Sequence, residues 1–380
     1  MKRMKLVSGL VAGTLFAVGP ALGQTLTVMT AGDQNMVDYV NEYLAPKFEE
    51  AHPGVTVQAV GTGPGDAGSQ MIFERLSAQS SAGAAEADVD VAVVHQKMAG
   101  QMVEEDLLAN YRGEIETGNL VTRETASNAL GTDVDGYVMP MFHSQTAIAY
   151  NPALVENPPK TYDELVAWVE EHPGQFGYNG IKGGMSGVSF VMGWMYANTD
   201  DAEQLMSGPF DEGITGDWDQ ALSKLKDFNE NVVFTPGNAG TLDMLNRGEI
   251  ATGPVWVDMF YTWQADGRLN PDLKLSLIGP GMPGQPMYYV IPDNAPNKDL
   301  AADFVALATS PEVQAEGIVK RFNWYPGIDA DQVQAKLDEE TWSKLFTDVT
   351  PQELAEKGKP FPIAPYFDAI LEAYERQVTN

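Results

Sequence analysis

Apolar residues along this chain alternate between short continuous runs and stretches at helix spacing. Leu26 to Met29 is a run of the first kind; after a polar turn from Thr30 to Asn35, Val37, Val40, Tyr43, Leu44 and Phe48 recur as one face of a helix. The same reading predicts a strand over Val55 to Val60, a helix from about Ser69 to Gln79, a strand over Asp88 to Val94 and a helix over Lys97 to Glu105. Strands alternating with helices build parallel β-α-β units with right-handed crossovers.

The stretch Tyr137 to Pro152, YVMPMFHSQTAIAYNP, breaks that rhythm. It is apolar for most of its length yet carries Pro140 and His143, which a continuous buried strand accommodates poorly. Two strands in series are predicted, Tyr137 to Met139 and Thr146 to Tyr150, joined by a segment at Pro140 to Gln145 that crosses from one α/β lobe to another. Beyond it, Thr161 to Glu164 fits a capping box opening a helix to Glu171. Helices follow around Ser189 to Ala197, Trp218 to Asn229 and Leu242 to Asn246. Ile250 to Val257 and Asp272 to Ile278 are read as strands, Gly279 to Pro286 as a loop, and Met287 to Ile291 as a second crossing strand. Asn297 and Ser310-Pro311 open the next helices.

Composition narrows the class. A chain of 380 residues holds two domains of ordinary size. Lys2, Arg3 and Lys5, the apolar run Leu6 to Val18 and the small residues at Ala21-Leu22-Gly23 read as a secretory signal over residues 1–23. No later stretch approaches the length of a membrane span. The absence of cysteine excludes disulfides, thiolate metal sites, Cys nucleophiles and a lipid-modified cysteine anchor, so a protein free in the periplasm of a Gram-negative bacterium is expected. The formal net charge of -30 includes three basic residues of the leader, so the rest is more acidic still. Such a surface repels nucleic acid and anionic lipid, and serves solubility.

Candidate chemistry is sparse. Gly63 to Gly68 matches G-x-G-x-x-G between a strand and a helix, but Pro64 intrudes, the loop follows the second strand, and the next strand ends at His95 where a ribose-binding acid would stand. What remains is a loop offering backbone N–H groups at a helix N-terminus. His52 and His172 each precede Pro-Gly at a helix C-terminus, where the dipole favours a cation, and are read as structural. His95 and His143 lie just past strand ends, where α/β sheets place ligands; each either touches a ligand or supports a residue that does. No two histidines have metal spacing, and neither metal nor cofactor is expected. Ser186 lies one residue off a G-x-S-x-G elbow, which leaves a periplasmic hydrolase using Ser186 or His143 as the rival from another class. Trp256, Tyr288, Tyr289, Trp324 and Tyr325 fall at strand ends or in loops and are read as a ligand platform, whereas Trp168, Trp194 and Phe304 fit helical core.

Four segments, ADVDVAVVHQKMAGQMVEEDLLANY from Ala87, YVMPMFHSQTAIAYNPALVENPPKTYDELVAW from Tyr137, RGEIATGPVWVDMF from Arg247 and VIPDNAPNKDLAADFVALATSPEVQAEG from Val290, give the chain its resemblance to a family. In order and spacing it resembles the bacterial extracellular solute-binding proteins, family 1, the periplasmic receptors of ABC importers, with a layout similar to the maltose-binding protein. The resemblance implies an α/β, two-lobed periplasmic binding protein fold of type II, each lobe a mostly parallel sheet flanked by helices and joined to the other by hinge strands. Lobe 1 would comprise residues 24–141 and 289–318, and lobe 2 residues 142–288 and 319–380. It also implies a monomer without catalysis that closes on a small solute and docks on a membrane permease. Carried over by position, first-lobe contacts come from Asp33 and Gln34, the Asp66 loop and His95-Gln96. Second-lobe contacts come from Gly184 to Ser186, Trp256 and Trp324-Tyr325, with His143 and Tyr289 at the hinges. Asp33, Asp66 and Asp258 as acceptors beside stacked Trp256 and Trp324 suit a sugar or polyol first, and a polyamine or other organic cation second. No arginine falls at a clear cleft position, which disfavours a strongly anionic solute.

Overall fold

The computed structural model describes residues 23–379; the predicted leader, apart from Gly23, lies outside the described residues. The alternating runs form β1 (Gln24–Ala31), α1 (Gln34–Tyr39) continuing through a π-helical turn at Val40–Leu44 into α2 (Ala45–Ala51), β2 (Val55–Gly63), α3 (Gly65–Ser81), β3 (Val91–His95) and α4 (Gln96–Glu104). The π-helical turn precedes Pro46, whose missing N–H leaves a carbonyl one turn back without its partner. A short hairpin, β4 (Asn128–Ala129) with β5 (Thr132–Asp133), leads to β6 (Met139–Tyr150).

The second half runs α5 (Tyr162–Glu171), β7 (Gly177–Tyr178), α6 (Met185–Asn198), α7 (Ala202–Ser207), α8 (Asp219–Asn229), β8 (Val233–Phe234) and α9 (Gly237–Arg247). Then come β9 (Thr252–Trp256), α10 (Val257–Ala265), β10 (Lys274–Ser276), β11 (Met282–Val290), α11 (Lys298–Ala308), α12 (Pro311–Val313) and β12 (Tyr325–Pro326). A last helix spans Ala364–Gln377.

Two lobes of α/β layers share strands. In the first, β2, β1 and β3 are parallel and β11 lies antiparallel beside β3. In the second, β9 and β10 flank the C-terminal half of β6 antiparallel, and a bridge from Phe176 to Thr252 joins β9 to the parallel pair β7 and β8. β6 belongs to both. Met139 to Gln145 pair with β11, and from Thr146 onward the strand pairs with β9.

Two expectations are corrected here. Tyr137 to Tyr150 is not two strands in series: β6 is continuous from Met139, and Pro140 is taken up at a bulge, where Phe142 faces Met287 but Pro140 faces Tyr288 and Met141 is the extra residue. The Gly/Pro run is not all loop, since β11 begins at Met282 and contains Pro283 and Pro286. β3 ends at His95 opposite Met287, so these prolines lie beyond the β3 pairing, where a missing N–H costs no bond to that neighbour.

Helix ends follow their residue types. Thr161 caps α5 by accepting from the Glu164 N–H at 3.2 Å, while Glu164 turns to the Lys160 N–H, so only half of the box forms. His52 and His172 are the same device twice. Each imidazole meets the carbonyl four residues back, Phe48 at 3.1 Å and Trp168 at 2.8 Å, and stacks on that residue's ring.

Candidate functional site

The junction of the lobes holds a cavity of about 50 Å³. Three strand-to-helix junctions supply its titratable side chains. Asp33 is the N-cap residue of α1 but makes no capping bond, which leaves its carboxylate to the cavity. His95 ends β3 and precedes α4. Trp256 ends β9, and Asp258 lies in the first turn of α10. These are the strand C-terminal ends at which α/β sheets bind ligands. Phe142 and Ser144 of β6 and Gln285 and Met287 of β11 form the floor where the sheets meet.

Hydrogen bonds fix the orientation of several groups. Ser144 Oγ donates to Asp258 Oδ1. Asn238 Oδ1, in the first turn of α9, accepts from Ser186 Oγ at 2.8 Å, Asn179 Nδ2 at 2.9 Å and the Ser186 N–H at 3.3 Å. With its oxygen saturated, the amide presents Nδ2 across the cavity to Asp33 Oδ2 at 3.4 Å, joining one lobe to the other. Ser69 Oγ accepts from the His95 N–H at 3.0 Å and lies 2.9 Å from His95 Nδ1.

Burial sets the charges. It pushes the Asp258 carboxyl up to about 6, against the Ser144 hydrogen bond, and the Asp33 charge adds to the rise. Asp33 is raised by burial and partly relieved by Asn238. Burial lowers His95, opposed by the nearby Asp66 and Asp33 carboxylates.

The expected site residues separate into two groups. Asp33, His95, Trp256 and Asp258 line the cavity together. Asp66 stands 3.9 Å from His95 Nδ1, off the cavity wall, with Oδ1 buried and unpartnered. Gln34 is exposed and bonds to Asp38 at 2.9 Å. Ser186 is fully buried and holds Asn238 rather than a ligand, so the hydrolase alternative loses its nucleophile. His143 alternates with Phe142 and Ser144 along β6 and faces away from the cavity, where burial and the nearby Arg123 push it down to about 3.

The aromatic platform is corrected to a single ring. Tyr288 and Tyr289 are core, Trp324 is packed between Phe142 at 4.6 Å and Phe322 at 4.7 Å, and Tyr325 stacks on Phe346. Met185 falls within the expected Gly184 to Ser186 contact, whereas sequence reasoning missed Asn35, Met36, Ser144, Asn238, Met259, Gln285 and Met287 on the wall. Asn35 and Met36 adjoin the Asp33 turn and Met259 follows Asp258, so sequence proximity was the available signal. Asn238 had none. Among the described residues no group of acids and histidines has the geometry of a metal site.

Residues 44–345 match the bacterial extracellular solute-binding proteins. The chain belongs to that family. This solute-binding protein is similar to the gamma-aminobutyric acid-binding protein of Pseudomonas aeruginosa, with 24% identity over 168 residues, a match that spans 44% of the length of each chain. Its fold is similar to the spermidine/putrescine ABC transporter substrate-binding protein PotD of Streptococcus pneumoniae, with TM-score 0.68 and 17% identity over 94% of this chain and 98% of that one. A periplasmic thiamin binding protein gives TM-score 0.65 and 16% identity over 98% and 100%. The solute-binding proteins named here are receptors rather than enzymes, and among the described residues no helix is long and apolar enough to cross a membrane.

Proposed function

We propose that this solute-binding protein is the periplasmic receptor of an ABC importer for a small organic cation, which it captures as a monomer between its lobes and delivers to a membrane permease. One observation carries the reading: Asp33 and Asp258, from opposite lobes, meet in a buried cavity whose wall has no lysine or arginine. Desolvated carboxylates without a countercharge are costly, and a bound ammonium group offsets that cost. Trp256 adds a ring face of the kind that attracts cations. The sugar or polyol preference depended on a stacked pair of indoles, and Trp324 is buried behind Phe142. The named relatives are binding proteins for gamma-aminobutyric acid, for spermidine and putrescine, and for thiamin, each of which carries a cationic nitrogen, and this supports the cation reading by analogy.

In this reading closure is a population shift, since only the closed form brings both carboxylates to one solute. The hinge is β6, between Gln145 and Thr146, where the strand changes sheets. The test is calorimetric titration of mature protein, first unfolded and refolded to strip carried solute, with amines, organic cations, sugars and polyols. Binding confined to cations is expected. Binding confined to neutral sugars would overturn the cation assignment, and turnover of any compound would overturn the receptor role.

A further inference from the structure

The lobes also touch outside the solute cavity. The last helix belongs to the second lobe: Tyr374 Oη meets Tyr178 Oη of β7 at 2.9 Å, and Gln377 Nε2 donates to Asp219 Oδ1 of α8 at 2.9 Å. Its N-terminus nevertheless rests on the first lobe. The Ala364 N–H, which no carbonyl of its own helix can satisfy, donates to the Leu130 carbonyl at 2.8 Å. Leu130 and Gly131 turn the β4–β5 hairpin, which is tied to α4 by Thr132 Oγ1 donating to Glu104 Oε1 at 2.9 Å. Leu130 takes φ +53°, a left-handed conformation that is costly for leucine, at the residue whose carbonyl reaches the other lobe. Gly131 lets Ile363 approach, since a Cβ there would stand 3.3 Å from the isoleucine side chain.

One turn along the last helix, Asp368 Oδ1 accepts from Lys97 Nζ of α4, and the same ammonium lies 5.4 Å from the centre of the Phe367 ring. The Lys97 side chain is 22% exposed and that of Asp368 49%, so water screens the pair only in part. None of Lys97, Leu130, Ala364 and Asp368 lines the solute cavity. Whatever they contribute to capture acts through the arrangement of the lobes and not through contact with the solute.

We propose that Lys97 and Asp368, together with the Leu130–Ala364 bond, form a clamp between α4 and the last helix that favours the closed lobes whether or not a solute is present. Both side chains are then positioning residues for capture. An ion pair of this exposure shifts a two-state ratio by about two- to five-fold. The inference rests on lobe closure as read above, and not on the charge of the solute.

The chain has no cysteine, so two introduced ones can be spin-labelled without interference. Met71→Cys in α3 and Phe234→Cys in β8 are exposed positions, one on each lobe, and pulsed electron resonance of the stripped protein reads the distance between them with no solute added. Lys97→Met and Asp368→Asn are each expected to move two- to five-fold of the closed-to-open ratio toward the longer distance, and Lys97→Arg to keep the wild-type distribution. Lys97 also acts on the Asp66 carboxyl, so a single variant does not separate the clamp from a local effect in the first lobe. The double variant does: it should open the lobes no further than the stronger single one, whereas additive effects would overturn the clamp. Asn238→Asp, at the Asp33 contact, distinguishes the two failures. Opening in that variant alone would overturn the clamp and leave lobe closure standing, and an unchanged distance in all of them would overturn both.

Discussion

Burial holds the Asp258 carboxyl at about 6, while an unfolded chain would release that proton near 3.8. Because the folded state keeps the proton longer, stability falls as pH rises from about 4 to about 6, and above that range the empty protein carries a cost of roughly 3 kcal/mol. A bound cation reverses the preference, so affinity should rise as pH rises through about 6. Asp258→Asn is therefore expected to raise the melting temperature of the empty protein at pH 7.5 and to weaken cation binding about 100-fold or more, read by calorimetry on both. A lowered melting temperature with affinity intact would count against this account. The indoles give a second contrast. Both rings are buried, so Trp256→Ala and Trp324→Ala should each cost roughly 3–5 kcal/mol in denaturant unfolding, but only Trp256→Ala, on the cavity wall, should also weaken binding ten-fold or more. Asp33, His95, Trp256 and Asp258, which were legible in the sequence, each end a strand or lie two residues beyond its end. The same rule misplaced Tyr289 and Trp324, because position along a strand does not say which face a ring takes. Met36 and Met259 stayed hidden, since Met at helix spacing reads equally as core.

The elements were easier to read than the side chains. β1 to β3 and their helices carry strong periodicity, and each predicted centre falls within the observed element. β6 and β11 were harder to read because prolines mask a strand whose missing bonds fall at a bulge or beyond a neighbour's end. The glycine loop before α3 is shaped by contact rather than by a nucleotide: a Cβ on Gly68 would stand 2.0 Å from the Gly63 carbonyl oxygen. Gly68→Ala must displace that loop, and with it Gly65 on the cavity wall. It is expected to cost roughly 1–3 kcal/mol of stability by overpacking and to weaken solute binding, both measured by melting with and without ligand.

At the scale of the molecule, the lobes approach through the Asn238–Asp33 contact as well as through any solute. Asn238→Asp would set two carboxylates face to face and leave the Ser186 and Asn179 donors to a charged group. The expected result is a larger radius of gyration by X-ray scattering in the empty protein and about ten-fold weaker cation binding. An unchanged radius would mean that the contact does not hold the closed form. Closure also has an optical consequence. The chain has seven tryptophans, of which Trp256 lines the cavity and pairs with Thr146, the residue at which β6 enters the second sheet. One indole thus sits where solute, hinge and Asp258 meet, while Trp194, Trp218 and Trp324 are sealed in packed interiors. The protein carries its own fluorescent gauge of occupancy, and an emission change on solute addition that vanishes in Trp256→Phe would let closure be followed in real time without a label.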